Sequence, residues 1–323
     1  MKKILLICSN AEDATSWYRG VGPFSLLQRT YSDISLTITE PSTCNKWSII
    51  AQFGLVVFQR PCTSQHLEVA TLVKSLGIPL VLDYDDNHFD IQLENDHYTH
   101  FVNNRENQRK IMNMADHIIC STDHLKKSVQ KELTNKSISV ISNGIIPNWD
   151  SPSDNLGRRD NTIFYRGSKT HLNDLLLFKD AIQKSIDNLG DDFVFQGFTP
   201  FFLTGTYRVN DPMALHKYFN YVKSSYHKLF MVPLKDCGFN RSKSNIALLE
   251  ATMNGANCLV PDWEEWQIPG AIKYTSIESF SNKLSEFKFN IGRSIEQRKF
   301  VEENYHLKKL NTLRKGLIDR IIS

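Results

Sequence analysis

Gly238-Phe239-Asn240-Arg241-Ser242-Lys243-Ser244-Asn245-Ile246-Ala247-Leu248-Leu249-Glu250 passes from a polar, glycine-bearing loop into a helix whose apolar residues Ile246, Leu249 and Met253 fall at core spacing. Gly255 ends that helix, and residues 257–260 resume an apolar strand. Loop, helix and strand in this order are half of a βαβ unit, whose strands are covered on both faces and read as short continuous apolar runs. Working backward, runs at 162–165, 193–196 and 228–232 alternate with helical patterns at 172–188 and 215–223; a further helical pattern follows at 280–287. A polar, turn-rich stretch at 148–161 separates this series from an earlier one. There the strands are expected at 3–8, 36–38, 54–58, 79–83, 117–120 and 137–141, with helices at 24–28, 65–76, 105–114 and 123–133. The sequence therefore predicts an α/β protein of two tandem, doubly wound, Rossmann-like domains over 1–150 and 151–299, ending in a basic helical stretch. Ligands of such sheets sit beyond the carboxyl ends of the strands, and the two sets of strand ends are expected to face a common cleft.

The bulk numbers agree. A chain of 323 residues suits two domains of roughly 150 each. With 41% hydrophobic and 23% charged residues, disorder, collagen and coiled coil are excluded. A formal charge of +3 neither demands a nucleic-acid partner nor excludes one. The apolar run at 4–8 is shorter than the roughly 7–15 residues of a secretory signal, and no stretch approaches the roughly 18 residues of a membrane span. Six cysteines stand without CxxC spacing, and Cys8, Cys120 and Cys258 fall in apolar runs as core residues. A reducing, cytoplasmic location is expected.

Four clusters carry polar chemistry just after expected strands. Thr15-Ser16-Trp17-Tyr18-Arg19-Gly20-Val21-Gly22-Pro23 holds two glycines before a helix, read either as a backbone approach to an anion or as a plain βα turn. Asp83-Tyr84-Asp85-Asp86-Asn87-His88 offers oxygen ligands for a divalent metal, a general base, or an ordinary helix cap. Arg166-Gly167-Ser168-Lys169-Thr170-His171 puts two cations and free backbone donors at a helix start, as a diphosphate requires. In the opening stretch, Arg241, Lys243 and the first-turn N–H groups repeat that pattern. Glu250, on an otherwise apolar helix, needs a partner: a ribose diol, or a Lys or Arg from elsewhere.

Together these residues resemble the GT-B glycosyltransferases of the glycosyltransferase family 4 kind, in the bacterial and phage branch carrying FN-x-x-KS before the donor-site helix. The resemblance rests on Asn240-Arg241-Ser242-Lys243-Ser244 leading to Leu249-Glu250-Ala251, Gly255 and Leu259-Val260. Ser142-Asn143-Gly144-Ile145, Ala115-Asp116-His117-Ile118-Ile119-Cys120-Ser121, Gly167-Ser168-Lys169-Thr170-His171 with Asp174-Leu175, and Tyr18-Arg19 with Gly22-Pro23 add to it. The pieces run in family order from about residue 17 to 262. The resemblance implies a nucleotide-sugar donor, a UDP-sugar being favoured, bound mainly by the second domain. It also implies no required metal or other cofactor, and a C-terminal helix at 300–323 crossing back to the first domain. Glu250 would hold the donor ribose, and Arg166, Lys169 and Lys243 the diphosphate, with Gly20, Gly22, Gly167, Ser168, Asn240, Ser244 and Asn245 completing the donor site. Asp85, Asp86 and His88 would face the reacting sugar or acceptor as catalytic candidates; Trp17, Tyr18 and Arg19 would contact the acceptor. Where the family often shows Glu-x7-Glu, Ser242 replaces the first glutamate, which leaves donor sugar and stereochemistry open.

The implied reaction is glycosyl transfer through an oxocarbenium-like transition state, with cations and helix N-termini stabilising the leaving diphosphate and a closing cleft supplying proximity. Retention needs no protein base; inversion would make Asp85, Asp86 or His88 the base. A saccharide or glycoconjugate is the favoured acceptor. The alternative is DNA carrying a hydroxymethylated base, consistent with seven Lys/Arg against three Asp/Glu over 298–320 and with Arg105, Arg109, Lys110, Lys126, Lys127 and Lys131. Solvated helix faces explain the same charges. Two further readings are a metal-dependent GT-A enzyme using Asp83-Tyr84-Asp85 and a non-catalytic nucleotide-sugar binder.

Overall fold

Runs of Val, Ile, Leu and Phe become parallel strands here because both faces of each run are buried. The computed structural model describes residues 1–10, 13–44, 46–133, 136–145, 159–189 and 192–322. Within them β1 (Lys2–Ile7), β2 (Ile34–Thr39), β3 (Leu55–Gln59), β4 (Leu80–Tyr84), β5 (His117–Cys120) and β6 (Ile138–Val140) form one parallel sheet in the order β2-β1-β3-β4-β5-β6. Leu5 pairs with Thr37 on one side and Val56 on the other. Side chains alternate between faces with period two. Leu5, Ile7, Val56, Phe58, Leu80 and Leu82 pack under Val69, Val73, Ile111 and Leu125. Ile4, Leu6, Leu55, Val57 and Val81 pack under Phe24, Leu27, Leu310, Leu317 and Ile318.

A second parallel sheet holds β7 (Thr162–Arg166), β8 (Asp192–Gln196), β9 (Tyr207–Asn210), β10 (Leu229–Met231), β11 (Asn257–Pro261) and β12 (Ile272–Tyr274), in the order β12-β11-β10-β7-β8-β9. Phe164, Val194, Phe230 and Cys258 fill one core with Leu248 and Val301. Ile163, Phe193, Leu229 and Leu259 fill the other with Leu175, Ile182 and Phe280. The first unit comprises Met1–Gly144, Arg241–Ser244 and Leu307–Ser323, and the second Ile145–Asn240 and Asn245–His306. The tetrapeptide Arg241–Ser244 thus lies within the range 151–299 yet groups with the first unit. Most of the turn-rich segment at 148–161 lies outside the described residues, which resume at 159.

Several elements depart from the sequence reading. β9 and β12 were not expected: Tyr-Arg-Val-Asn and Ile-Lys-Tyr are partly exposed edge strands with charge between the apolar residues. The helix expected at 172–188 is broken at Phe178, whose buried ring packs edge-on against Tyr274 and Phe280. The C-terminal pattern is two helices, Ile291–Tyr305 and Leu307–Ile322, with His306 between them paired to Ile145. Cys8, Cys120 and Cys258 are buried and all six cysteines are free. Among the described residues no helix is long and apolar enough to cross a membrane.

Buried histidine makes the fold acid-sensitive. His227 stacks on Phe164 at 4.4 Å and sits 2.8 Å from Thr162 Oγ1. Burial, helped by the charges of Arg208 and Arg159, pushes its pKa down to about 3. An unfolded histidine takes a proton near pH 6.5, so the stability from this neutral ring is complete above that pH and is lost as pH falls toward 3. His227→Gln is expected to narrow the drop in Tm between pH 7.5 and pH 5 in calorimetry, whatever its effect at neutral pH. An undiminished drop would assign the acid sensitivity elsewhere.

Candidate functional site

The segment after β1 is not an open glycine turn. Helix Ala14–Ser16, a π-helical turn at Trp17–Val21 and helix Gly22–Thr30 follow one another without a break. Gly20 and Gly22 therefore present no loop to an anion. A Cβ on Gly20 would lie 3.1 Å from Leu6 Cδ2, and one on Gly22 3.0 Å from the Trp17 carbonyl, so both glycines serve close packing. The widened turn carries Arg19 inward, as π-turns at functional positions often do. Arg19 is 1% exposed. Its Nε and Nη2 donate to Asp83 Oδ1 (2.7 Å) and Oδ2 (3.0 Å), and Nη1 donates to the Ile141 carbonyl (2.8 Å) and Asn143 Oδ1 (3.1 Å). Arg19 is thus a structural clamp rather than an acceptor contact. Tyr18 is buried beside it, and Trp17 is half-buried.

Asp83 is consumed by that clamp, so Asp83-Tyr84-Asp85 does not present two free carboxylates. Among the described residues no three Asp, Glu, His or Cys side chains converge as metal ligands. Past β4, Arg60 Nε lies 3.2 Å from Asp85 and Nη2 3.2 Å from Asp86, while Lys243 Nζ approaches Asp86 at 3.6 Å. Burial pushes the Asp85 carboxyl up to about 6, against the pull of Arg60 and with the push of Asp86. Arg60 itself has φ +50°, the single non-glycine residue with positive φ among the described residues, a conformation costing on the order of 1–3 kcal/mol. His88 stacks on Phe101 at 3.7 Å, and its Nδ1 sits 3.3 Å from Gln108 Nε2. Burial, then the Arg60 charge, lowers its pKa to about 3, leaving a neutral ring.

The tetrapeptide Arg241–Ser244 is anchored in the same unit. Ser242 is fully buried, accepts from Asn87 Nδ2 (3.3 Å) and lies 2.9 Å from His124 Nδ1, and its carbonyl accepts from Thr122 Oγ1 (3.0 Å). Asn143 Nδ2 donates to Ser244 Oγ at 2.7 Å. Where the resemblance would place a carboxylate, this chain has a hydroxyl locked into a polar network.

In the second unit the strand order reverses direction between β7 and β10, the crevice position for ligands of such sheets. Arg166 ends β7. A Cβ on Gly167 would lie 2.2 Å from the Tyr165 hydroxyl, so only glycine fits beside that ring. Ser168 and Lys169 are exposed at the following turn. Asp174 ties the two crevice loops together: its Oδ1 accepts from Lys235 N (2.9 Å) and Asn240 Nδ2 (2.7 Å), and its Oδ2 lies 2.8 Å from His171 Nδ1. Asn240 also donates to the Lys235 carbonyl, and the buried Asn245 to the Glu265 carbonyl (3.3 Å), so both brace loops rather than project as free donor ligands. Glu250, 2% exposed, finds its partners in Arg166 Nε (2.8 Å) and the Tyr218 hydroxyl (2.7 Å), both at Oε2. The cation that the sequence required for Glu250 is therefore the one expected at the diphosphate.

The sequence reading missed a group around the β1–β3 switch of the first sheet. A cavity of about 310 Å³ is lined there by Thr15, Ser16, Gln59, Arg60, Thr63 and His66, among others. The visible signal was a polar residue, Gln59, closing an apolar strand, followed by Arg60-Pro61.

No family model matches the chain, and no curated protein sequence does. Solved structures do match in fold. Sucrose-phosphate synthase from Thermosynechococcus elongatus superposes with a TM-score of 0.71 at 10% identity, covering 99% of both chains. Anabaena HepE, solved with UDP-glucose, gives 0.66 at 11% identity over 99% of this chain and 100% of the other. An alpha-glucosyltransferase solved with UDP and a 13-mer DNA containing an HMU base gives 0.62 at 11%, over 98% and 99%. The chain has the GT-B fold.

The Arg19–Asp83 pair is open to direct test. Removing one partner of a buried pair leaves an uncompensated charge, at a cost of about 3–5 kcal/mol. Arg19→Met is expected to lower stability by that amount in urea denaturation, and Arg19→Met with Asp83→Leu to recover a substantial part of it. For Asp85 the sign is opposite to a paired carboxylate. Between its ordinary value and about 6 the folded state holds a proton the unfolded chain releases, so this site loses stability as pH rises through that window. Asp85→Asn should raise Tm relative to the parent at pH 7.5 but not at pH 4.

Proposed function

We propose that the protein is a glycosyltransferase that moves a sugar from a nucleotide-sugar donor, a UDP-sugar by preference, to a hydroxyl of a saccharide acceptor. The observation that carries this reading is Glu250. A buried carboxylate is held by Arg166 and Tyr218 at the switch point of a doubly wound sheet. Such a carboxylate accepts from a ribose diol, while Arg166 and Lys169, with the backbone donors of the Gly167-Ser168 turn, meet a diphosphate. The UDP and UDP-glucose bound by proteins of the same fold support the choice of donor.

In the transfer, the bond between the sugar and the β-phosphate oxygen breaks and the acceptor oxygen bonds to the anomeric carbon. Negative charge gathers on the departing diphosphate, where fixed cations lower the barrier most. Lys243 is the remaining candidate cation. Asp85, set close to neutrality in pKa, is suited to take the acceptor proton should configuration invert; with retention the leaving phosphate takes it. The reaction as proposed requires no resident metal. Free cysteines throughout fit the reducing cytoplasm.

A thermal-shift screen of UDP-, GDP-, ADP- and CMP-sugars, with Mg²⁺ or EDTA, tests the donor assignment, because a ligand bound only to the folded state raises Tm. A metal-independent shift with UDP-sugars is expected. Glu250→Ala should weaken that binding by about tenfold or more, the loss of roughly 1.4 kcal/mol, and Lys243→Ala should lower turnover by about 100-fold. No shift with any nucleotide sugar, or full turnover in both variants, would overturn the reading.

A further inference from the structure

The helix Leu307–Ile322 lays an apolar face on the first sheet, and a cation stands in the middle of that face. Leu310, Leu317 and Ile318 join Leu6, Phe24, Leu27 and Ile141 in one core. Arg314 lies four residues after Leu310 and three before Leu317, the spacing that puts all three on one side of a helix. At 1% exposed it is buried more deeply than either leucine. A leucine would fill such a position with nothing further required. A guanidinium there brings a charge and five N–H donors.

Those donors are met only in part. Nη1 donates to Asn311 Oδ1 at 3.2 Å, and Asn311 is held in turn by its Nδ2, which donates to the Pro23 carbonyl at 2.8 Å. Nε and Nη2 have no acceptor among the described residues. In Arg19 these same two atoms grip the carboxylate of Asp83, one to each oxygen. Arg314 thus presents the two-pronged edge that suits an anion, and no carboxylate among the described residues meets it.

The charge is unmet as well. Burial and then the Arg19 charge draw the Arg314 pKa down to about 9, against the pull of Asp83, so it is still a cation at pH 7.5. Asp83 is already engaged on both oxygens by Arg19. Two guanidiniums against one carboxylate leave a single positive charge in the core. A buried cation with no counter-charge is among the costliest arrangements a core can hold. Water meets the two donors but not the charge, and its own hydrogens then need acceptors. A carboxylate, phosphate or sulfate brings outer oxygens that find no donors in a wall of Leu, Ile and Phe. One monatomic anion satisfies the two donors and the charge together and asks nothing of the apolar wall.

We propose that Nε and Nη2 of Arg314 bind a small halide ion, chloride or bromide, and that this ion completes the seat of the last helix on the first sheet. No step of the transfer involves it. The test is calorimetry of the full chain at pH 7.5, with chloride exchanged for gluconate at constant ionic strength. A ligand held only by the folded state raises Tm, and a rise of about 2–4 °C per tenfold increase in chloride is expected. Arg314→Met keeps an apolar stem and removes the donors and the charge together. It should abolish the rise and melt no lower than the parent in gluconate. Independently of any variant, crystals of the parent grown in sodium bromide should show an anomalous peak beside Nε and Nη2. No response to chloride in the parent, or the same response in Arg314→Met, would overturn the proposal. So would a water or an oxoanion on those nitrogens in place of bromide. A bromide peak with no chloride dependence of Tm marks an adventitious ion only and overturns it equally.

Discussion

In the first unit Arg19 is a guanidinium cut off from water whose Nε, Nη1 and Nη2 all donate to protein oxygens. Its hydrogen bonds reach the end of β4 through Asp83 and the chain beyond β6 through Ile141 and Asn143. Three segments distant in sequence are thereby pinned at one point. Asp85 and Asp86 follow Asp83 after the single residue Tyr84, so their reach toward Arg60 and Lys243 is set by where Arg19 holds the strand end. The short helix Ala14–Ser16 that leads into that π-helical turn places Thr15 and Ser16 at the β1 side of the cavity. In the second unit Asp174 does the equivalent work with a carboxylate, gathering the loops after β7 and β10.

Sheet class and the buried strands were legible because a doubly covered strand is a short apolar run, as Leu80-Val81-Leu82 and Cys258-Leu259-Val260 are. β9 and β12 escaped because an edge strand tolerates Arg208 and Lys273 between its apolar residues. The π-helical turn was illegible for a different reason: two glycines two positions apart suit an open loop and a tightly packed helix equally, and what decides is the distance to Leu6, a tertiary fact. Glu250 was conspicuous, since a carboxylate on an apolar helix face announces a partner. Which partner could not be read, because Arg166 lies 84 positions earlier and Tyr218 on a separate helix. Gln59, His66 and His100 are unremarkable in sequence; only the strand order brings them to one wall.

Ser242 gives the comparison with glycosyltransferase family 4 its sharpest local content. The loop keeps its basic residues and the helix its glutamate, but the intervening position is a buried hydroxyl satisfied by Asn87 and His124, with Thr122 holding its backbone carbonyl.

The first unit is assembled from three separated pieces of chain, and this bears on how the protein is made. Ile4, Leu6, Val57 and Val81 form one face of its sheet, and that face is closed by Leu310, Leu317 and Ile318. A ribosome has delivered β1 to β6 long before residues 307–322 emerge. During that interval the nascent sheet carries an apolar face that Phe24 and Leu27 cover only in part, the kind of surface that recruits chaperones or self-associates. The last helix then docks onto a platform that has been waiting for it, with Asn311 donating to the Pro23 carbonyl as it seats. Domain-by-domain folding in order of synthesis is thus closed to the amino-terminal half, which becomes whole only after the other half has been translated.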